Sequence, residues 1–218
     1  MNFYPINLDV DGQACVVVGG GKVALRKIRG LLEAGAQVTV IAPEVCAEVD
    51  ELIRRGEILW TRKNFSPELL GDELILIAAT NSAEVNRQAC EAARARKILV
   101  NVVNSSGGNF NVPSRIRRGE LLLTISTGAN SPAFAKFVRL MLEAEFGENF
   151  GAALEIISRA RREVKRRLPN QPAREKFWRE TLTPELWQLL KSGDVNALEE
   201  LINDALKNFG TQSPHGTD

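Results

Sequence analysis

An α/β architecture is predicted: a parallel sheet flanked by helices, then a small α+β segment, then an all-helical C-terminal region. Three observations predict it. The stretch VVVGGGKVALRKIRGLLEAGAQVTVIAP, residues 16–43, runs apolar strand, three glycines, amphipathic helix, apolar strand. Two further apolar runs, Leu74–Ala79 and Ile98–Val103, alternate with a helical pattern over Ala83–Arg96. Such continuous apolar runs are the mark of central, parallel strands covered on both faces. From about Phe150 only helical spacing remains.

The opening stretch carries the clearest chemistry. Gly19 lets the chain turn off the first strand, and Gly21, lacking a Cβ, lets a pyrophosphate approach the backbone. Ala24 stands at the third small position, where helix and strand pack closely. Val23, Ala24, Ile28, Leu31 and Leu32 form the helical stripe, and Gly35 ends it. The free N–H groups of that helix then face the phosphates of a dinucleotide. The expected cofactor contacts are Gly19, Gly20, Gly21, Lys22, Val23 and Ala24. The second strand ends Ile41-Ala42-Pro43, without the acid that usually holds ribose hydroxyls, and no Arg follows at once. NAD is therefore favoured over NADP, with Pro43 and Glu44 at the ribose.

Residues 1–14 read as a short edge strand, Ala47–Arg55 as a helix, and Ile58–Trp60 as a third strand. Ser66-Pro67-Glu68 opens a helical turn. Ligands in open parallel sheets bind at the carboxyl ends of strands. That brings together Gly19–Val23, Thr80-Asn81 and Asn101–Asn104. Ser82 reads as a helix cap; Thr80 suits either a cap or a ligand contact. Asn109–Pro113 and Leu121–Ser126 read as strands around a basic turn, Arg115–Gly119. Ser131 and Pro132 open a helix with the stripe Phe134, Phe137, Val138, Met141 and Leu142. That stripe serves a dimer partner or its own sheet, and dimerisation is the preferred reading. Leu154, Ile157 and Val164 share one face of the next helix, whose arginines between Arg159 and Arg167 form a solvated face or a polyanion site. Thr183-Pro184 and Asp194 cap later helices.

Composition narrows the function. The 218 residues suffice for one ordinary domain plus a smaller one, and 44% hydrophobic content supports a substantial core. A net charge of +1 argues against a nucleic-acid binder. Cys15, Cys46 and Cys90 read as reduced thiols in a cytoplasmic protein rather than a disulfide or metal framework. No apolar run is long enough for a membrane span, and no leader pattern opens the chain. The single histidine, His215, lies in the tail GTQSPHGTD. A histidine base or histidine-bound metal is not expected, and no metal site is predicted.

The segments VVGGGKVALRK (17–27), AATNSAEVN (78–86), NVVN (101–104), NFNVPS (109–114) and ISTGANSP (125–132) carry a family likeness. The chain resembles the precorrin-2 dehydrogenase family, the amino-terminal module of siroheme synthases, over nearly its whole length. The resemblance implies a Rossmann-type NAD-binding domain at 1–113 and a dimerisation segment at 114–147. A helical domain at 148–209 and a disordered tail at 210–218 follow. It implies NAD-dependent oxidation of precorrin-2 to sirohydrochlorin in a cytoplasmic homodimer. Methylation falls to a separate methyltransferase. Substrate contacts fall on Asn101, Asn104, Arg115, Thr127, Gly128 and Ser131, with Asn104 and Thr127 in the catalytic positions. An eight-carboxylate tetrapyrrole gives the basic residues Arg115, Arg117, Arg118, Lys136 and Arg139 a purpose.

The family aspartate after Asn-Val-Val is Asn104 here, and an amide cannot take a proton. Some members insert ferrous iron; this substitution predicts weak or no ferrochelatase activity. Thr127 stands where the family has a serine that carries phosphate in some members. The competing readings are a bifunctional dehydrogenase and ferrochelatase, an NAD-sensing regulatory module, and a tetrapyrrole carrier without catalysis.

Overall fold

The computed structural model describes residues 3–103, 105, 107–128 and 130–209. Contacts divide the chain into two compact units, 1–112 and 113–218.

The first unit holds five parallel strands: β1 (Ala14–Val18), β2 (Gln37–Ile41), β3 (Leu59–Thr61), β4 (Ile75–Ala78) and β5 (Leu99–Val102). Their order is β3-β2-β1-β4-β5. Helix α1 (Lys22–Leu32) crosses from β1 to β2, α2 (Ala47–Arg54) from β2 to β3, and α3 (Ala83–Ala95) from β4 to β5. The chain leaves β1 in one direction and returns on its other side at β4, so the order reverses beside β1. Ligand clefts form at such a switch point.

Both faces of the sheet are covered, which is why its strands are apolar without alternation. Cys15 and Val17 pack with Val38, Val40, Ile75 and Ile77 against α1 residues Ala24, Leu25, Ile28 and Leu31. Val16 and Val18 point the other way, with Leu76 and Ala78, against α3 residues Ala89, Cys90, Ala92 and Ala93. Ala24 and Ile28 are fully buried. Gly35, at φ +81°, ends the turn after α1; a Cβ there would sit 2.1 Å from Asp11 Oδ1.

Two expectations for this unit change. Residues 3–10 form no strand, and Phe3, Tyr4, Ile6 and Leu8 are exposed. Only Val10 is buried there, so the segment has no alternating face to pair. Asn109–Pro113 is not a strand either. Asn109 is tied to β5: its N–H donates to the Val100 carbonyl (2.9 Å) and its Oδ1 accepts from the Val100 N–H (2.8 Å). The turn around Pro67 is a single 3-10 turn, Pro67–Leu69.

In the second unit, β6 (Ser114–Arg118) and β7 (Leu121–Ile125) form an antiparallel hairpin. The basic residues expected in the turn therefore lie in the strand, and the turn is Gly119-Glu120, with Gly119 at φ +56°. Ile116 is the buried residue of β6; flanking arginines hid the alternation. Helices α4 (Pro132–Glu145), α5 (Asn149–Arg167), α6 (Gln171–Thr181), α7 (Pro184–Ser192) and α8 (Val195–Asn208) follow. Gly151 of α5 meets the hairpin turn so closely that a Cβ would stand 3.0 Å from the Arg118 carbonyl carbon.

The helical core packs Phe150, Ala153, Ile156, Ala160 and Val164 of α5 against Phe177, Leu186, Leu190, Leu198, Ile202 and Leu206. The buried face of α5 thus uses Ile156 and two alanines, while Leu154 is only half-buried. Ring centroids of Phe146, Phe150 and Trp187 lie 5.0–5.5 Å apart. Ser131, Asn170, Thr183 and Asp194 each cap a helix by accepting a backbone N–H. The tail from 210 onward lies outside the described residues.

Candidate dinucleotide site

The turn from β1 into α1 is shaped by close backbone approaches. Gly19 sits at φ +119°, which only glycine adopts without strain, and a Cβ there would lie 2.5 Å from the Ala79 carbonyl oxygen. Its N–H donates to the Ile41 carbonyl at 2.9 Å. Gly20 lies under the β2–α2 loop: its carbonyl accepts the Cys46 N–H at 2.8 Å, and a Cβ would meet the Glu44 carbonyl at 2.3 Å. Gly21 differs. A Cβ built on it meets nothing within 4 Å among the described residues. It opens α1 in extended conformation, and its carbonyl accepts the Leu25 N–H at 2.9 Å. As a glycine it offers no side chain to cap the helix, so among the described residues the first N–H groups of α1 have neither an intrahelical partner nor an N-cap side chain. Open space beside uncapped donors suits a pyrophosphate.

Neighbouring elements complete this edge. Lys22 and Val23 are exposed at the start of α1, whereas Ala24 is buried at the strand crossing. Pro43 and Glu44 are exposed just past β2. Glu48, in the first turn of α2, is held below the usual carboxylate range. Its own backbone N–H contributes most, then the Cys46 thiol, with Lys22 and Arg29 adding charge. Past β4, the Thr80 backbone N–H and hydroxyl both donate to Asn86 Oδ1 (3.1 and 2.8 Å), and Asn86 Nδ2 returns a bond to the Thr80 carbonyl (3.0 Å). Thr80 is thereby braced, and Ser82 caps α3 by accepting the Val85 N–H. Asn81 is exposed beside them.

Gly19–Ala24, Pro43-Glu44 and Thr80-Asn81 therefore gather at the carboxyl ends of β1, β2 and β4. Asn101 does not join them as a free group: it is buried on β5, and its Nδ2 donates to the Phe110 carbonyl at 3.0 Å. Asn104 lies outside the described residues. In the second unit, the Thr127 hydroxyl donates to the Ser131 carbonyl (3.2 Å) and accepts the Ser131 N–H (3.3 Å). Ser131 Oγ accepts the Phe134 N–H (3.2 Å), and Gly128, at φ +61°, donates to Ser126 Oγ (3.3 Å). Arg115 stands on β6 opposite Thr124.

Several basic residues are committed elsewhere. Arg118 holds the Phe146 carbonyl and Glu148, Arg139 pairs with Glu143, and Arg166 and Arg167 share Glu163. Arg159 and Arg162 line a hollow of about 330 Å³, with Glu120 and Glu155 on its other walls, so its lining has mixed sign. Among the described residues no group of three or more His, Cys, Asp or Glu side chains converges as a metal site would require. No helix among them is long and apolar enough to cross a membrane.

Two contributors escaped the sequence reading. Asn86, the last residue of AATNSAEVN, anchors Thr80 from inside α3 and is itself buried. Trp60 reaches over from β3, donating its indole N–H to the Ala42 carbonyl at 2.9 Å, with the Arg62 guanidinium 5.3 Å above its ring. Eighteen residues separate Trp60 from Ala42, so no local pattern signals the contact.

Strand order, glycine turn and uncapped helix define a dinucleotide-binding protein. Residues 6–114 match the family described as "Putative NAD(P)-binding", and residues 149–206 match the sirohaem synthase dimerisation region. The expected dimerisation segment, 114–147, lies outside that second match. The siroheme synthase of Nitrosomonas europaea is 35% identical over 99% of this chain and 46% of its own length. That of Chromobacterium violaceum is 39% identical over 90% of this chain and 42% of its own. The chain thus spans less than half the length of these relatives. A solved structure titled "SirC, precorrin-2 dehydrogenase" aligns with a TM-score of 0.77 at 28% identity, covering 94% of this chain and all of that one. The chain belongs to the precorrin-2 dehydrogenase family, whose fold forms the amino-terminal module of siroheme synthases.

Proposed function

We propose that the chain is an NAD-dependent dehydrogenase that oxidises precorrin-2 to sirohydrochlorin in siroheme biosynthesis. The observation that carries this reading is the likeness to the precorrin-2 dehydrogenase structure along its entire length. The open, uncapped turn at Gly21 supports it independently, since a Cβ-free space beside free N–H groups fits a dinucleotide. Bound there, the nicotinamide supplies a hydride acceptor. With such an acceptor in place, the proton released on oxidation would pass to water or to a substrate carboxylate, so the chain need not supply a base. The chain's task is alignment: Gly19–Ala24 would hold the pyrophosphate, Pro43 and Glu44 would meet the ribose, and Thr80, braced by Asn86, would complete the same edge.

Asn104, Arg115, Thr127, Gly128 and Ser131 are the proposed substrate contacts, while Asn101, buried and bonded to the Phe110 carbonyl, supports the end of β5. Asn104 and Thr127 act by positioning, because neither an amide nor an alcohol has useful basicity at neutral pH. Iron insertion demands acceptance of pyrrole protons, and Asn104 offers none, so the proposed activity is the dehydrogenase alone. Two features support a homodimer built through the second unit: the dimerisation-region match and the exposed apolar face of α4. Three free cysteines suit the cytoplasm. The methyltransferase step that makes precorrin-2 lies outside these 218 residues.

Anaerobic absorbance of enzymatically made precorrin-2, with the protein and NAD, tests the reading. NADH formation with a sirohydrochlorin spectrum supports it, and NAD binding without oxidation overturns it in favour of a carrier or sensor. Adding ferrous or cobaltous ion tests the rest. A metal-dependent change above the uncatalysed rate restores the bifunctional alternative.

A further inference from the structure

We propose that Arg62 reads the ribose 2′ position, so that the site takes a 2′-phosphorylated dinucleotide as well as NAD. The inference rests on the dinucleotide reading of the glycine turn and deepens it.

Dinucleotide folds usually select at the end of the second strand, where a carboxylate holds the 2′-hydroxyl or a nearby arginine accepts a 2′-phosphate. Here β2 ends at Ile41 and is followed by Ala42 and Pro43, with no carboxylate there to repel a phosphate. The group that the fold brings to this corner comes from β3. Ile41 pairs with Thr61, and the Ala42 N–H donates to the Thr61 carbonyl at 3.3 Å. Trp60 ties its indole N–H to the Ala42 carbonyl, and the Arg62 guanidinium lies over that indole. Arg62 thus stands beside the end of β2, over a ring anchored there. The same β2–α2 loop donates the Cys46 N–H to Gly20, which joins this corner to the phosphate turn.

Arg62 is also uncommitted. Arg54 at the end of α2 and Arg55 just past it are paired with Asp50, Glu51 and Glu57, whereas Arg62 has no carboxylate partner among the described residues. Its planar fork, held on an indole face, loses little freedom when it grips a phosphate through two hydrogen bonds. A 2′-hydroxyl engages it far less. Glu44, exposed two residues past Ala42, is the acid that would oppose this selection.

Calorimetric titration of the full chain with NAD⁺, with NADP⁺ and with 2′,5′-ADP separates the possibilities. NADP⁺ is expected to bind within about tenfold of NAD⁺, and Arg62→Ala to lower the NADP⁺-to-NAD⁺ affinity ratio by about 10- to 100-fold, the scale of a charge-assisted contact. Arg62→Lys should restore part of that ratio, and 2′,5′-ADP should bind the native chain and lose affinity in Arg62→Ala. NAD⁺ binding with NADP⁺ excluded, or a ratio unmoved by Arg62→Ala, overturns the inference, leaves the dinucleotide site standing and passes the 2′ position to Glu44. Failure of every nucleotide to bind overturns both readings.

Discussion

Helices α1 and α4 begin alike and end up in opposite circumstances. Each follows a strand through a loop of small residues, and each carries an apolar stripe. The N-terminus of α1 has no cap, and its stripe is buried: Ala24, Leu25, Ile28 and Leu31 pack on the sheet. The N-terminus of α4 is closed by Ser131, itself held by Thr127, and its stripe is bare. Phe134, Phe137, Leu140 and Met141 are exposed, and Ala135 is the one buried residue of α4 among those described. The pair shows how one local motif is turned to two ends. Where the apolar face is satisfied internally, the free helix end is left for a ligand. Where the helix end is satisfied internally, the apolar face is left for another surface.

The largest expected effect contrasts the two stripes. Ile28→Ala should destabilise the chain by about 2–5 kcal/mol, because a fully buried side chain leaves a cavity on the α1 side of the sheet. Phe137→Ala should change the stability of the isolated chain by about 0.5 kcal/mol or less, as surface changes do. Phe137→Asp should instead convert a dimer to monomers. Denaturant melts and sedimentation velocity read the two effects apart. A large loss of monomer stability in Phe137→Ala would mean that the apolar face of α4 does not point outward.

The two loops differ next. Gly19→Ala should cost about 1–3 kcal/mol, since the added Cβ lies 2.5 Å from a carbonyl oxygen at a φ that side chains avoid. Gly21→Ala adds its methyl group to open space, so folding should persist while dinucleotide affinity falls by about tenfold or more, as the backbone no longer admits the pyrophosphate. Ser131→Ala should cost about 1 kcal/mol through the lost cap. Thermal melts with and without NAD read all three. If NAD raises the melting temperature of Gly21→Ala as much as that of the native chain, the open turn is not the phosphate site.

Much of this comparison is legible in the sequence, and the exceptions share a cause. Strands β1, β2, β4 and β5 fall within about one residue of their apolar runs, because burial on both faces keeps those runs largely apolar. The caps at Ser82, Ser131, Thr183 and Asp194 were readable because capping is local chemistry. The offset of β6 was not readable: Ile116 alone marks its buried face between arginines, and Gly119 moves the turn beyond them. The bareness of the α4 stripe was not readable either, since an apolar stripe has the same spacing whether its partner is its own sheet or another chain. At the candidate site the glycines were visible because backbone approach demands them. Asn86 and the Trp60–Arg62 pair were not, because their roles arise only when distant segments meet.

The smallest expected effect is invisible at neutral pH and probes how dry the α1 side of the sheet is. Cys15 of β1 lies in that core, and burial pushes its thiol up from near 9 to about 11, partly offset by a hydrogen bond from the Ile75 backbone. The sign follows from proton binding. Between these two values the unfolded chain releases the thiol proton while the folded chain keeps it, so deprotonation favours unfolding. The contribution is complete below about pH 9 and is lost as pH rises toward 11. Stability measured from pH 8 to 10.5 should therefore fall more steeply in the native chain than in Cys15→Ala, and the native thiol should resist alkylation until the chain unfolds. Parallel pH profiles for the two chains would mean that water reaches Cys15, and that the face of the sheet beneath α1 is looser than the buried stripe of that helix requires.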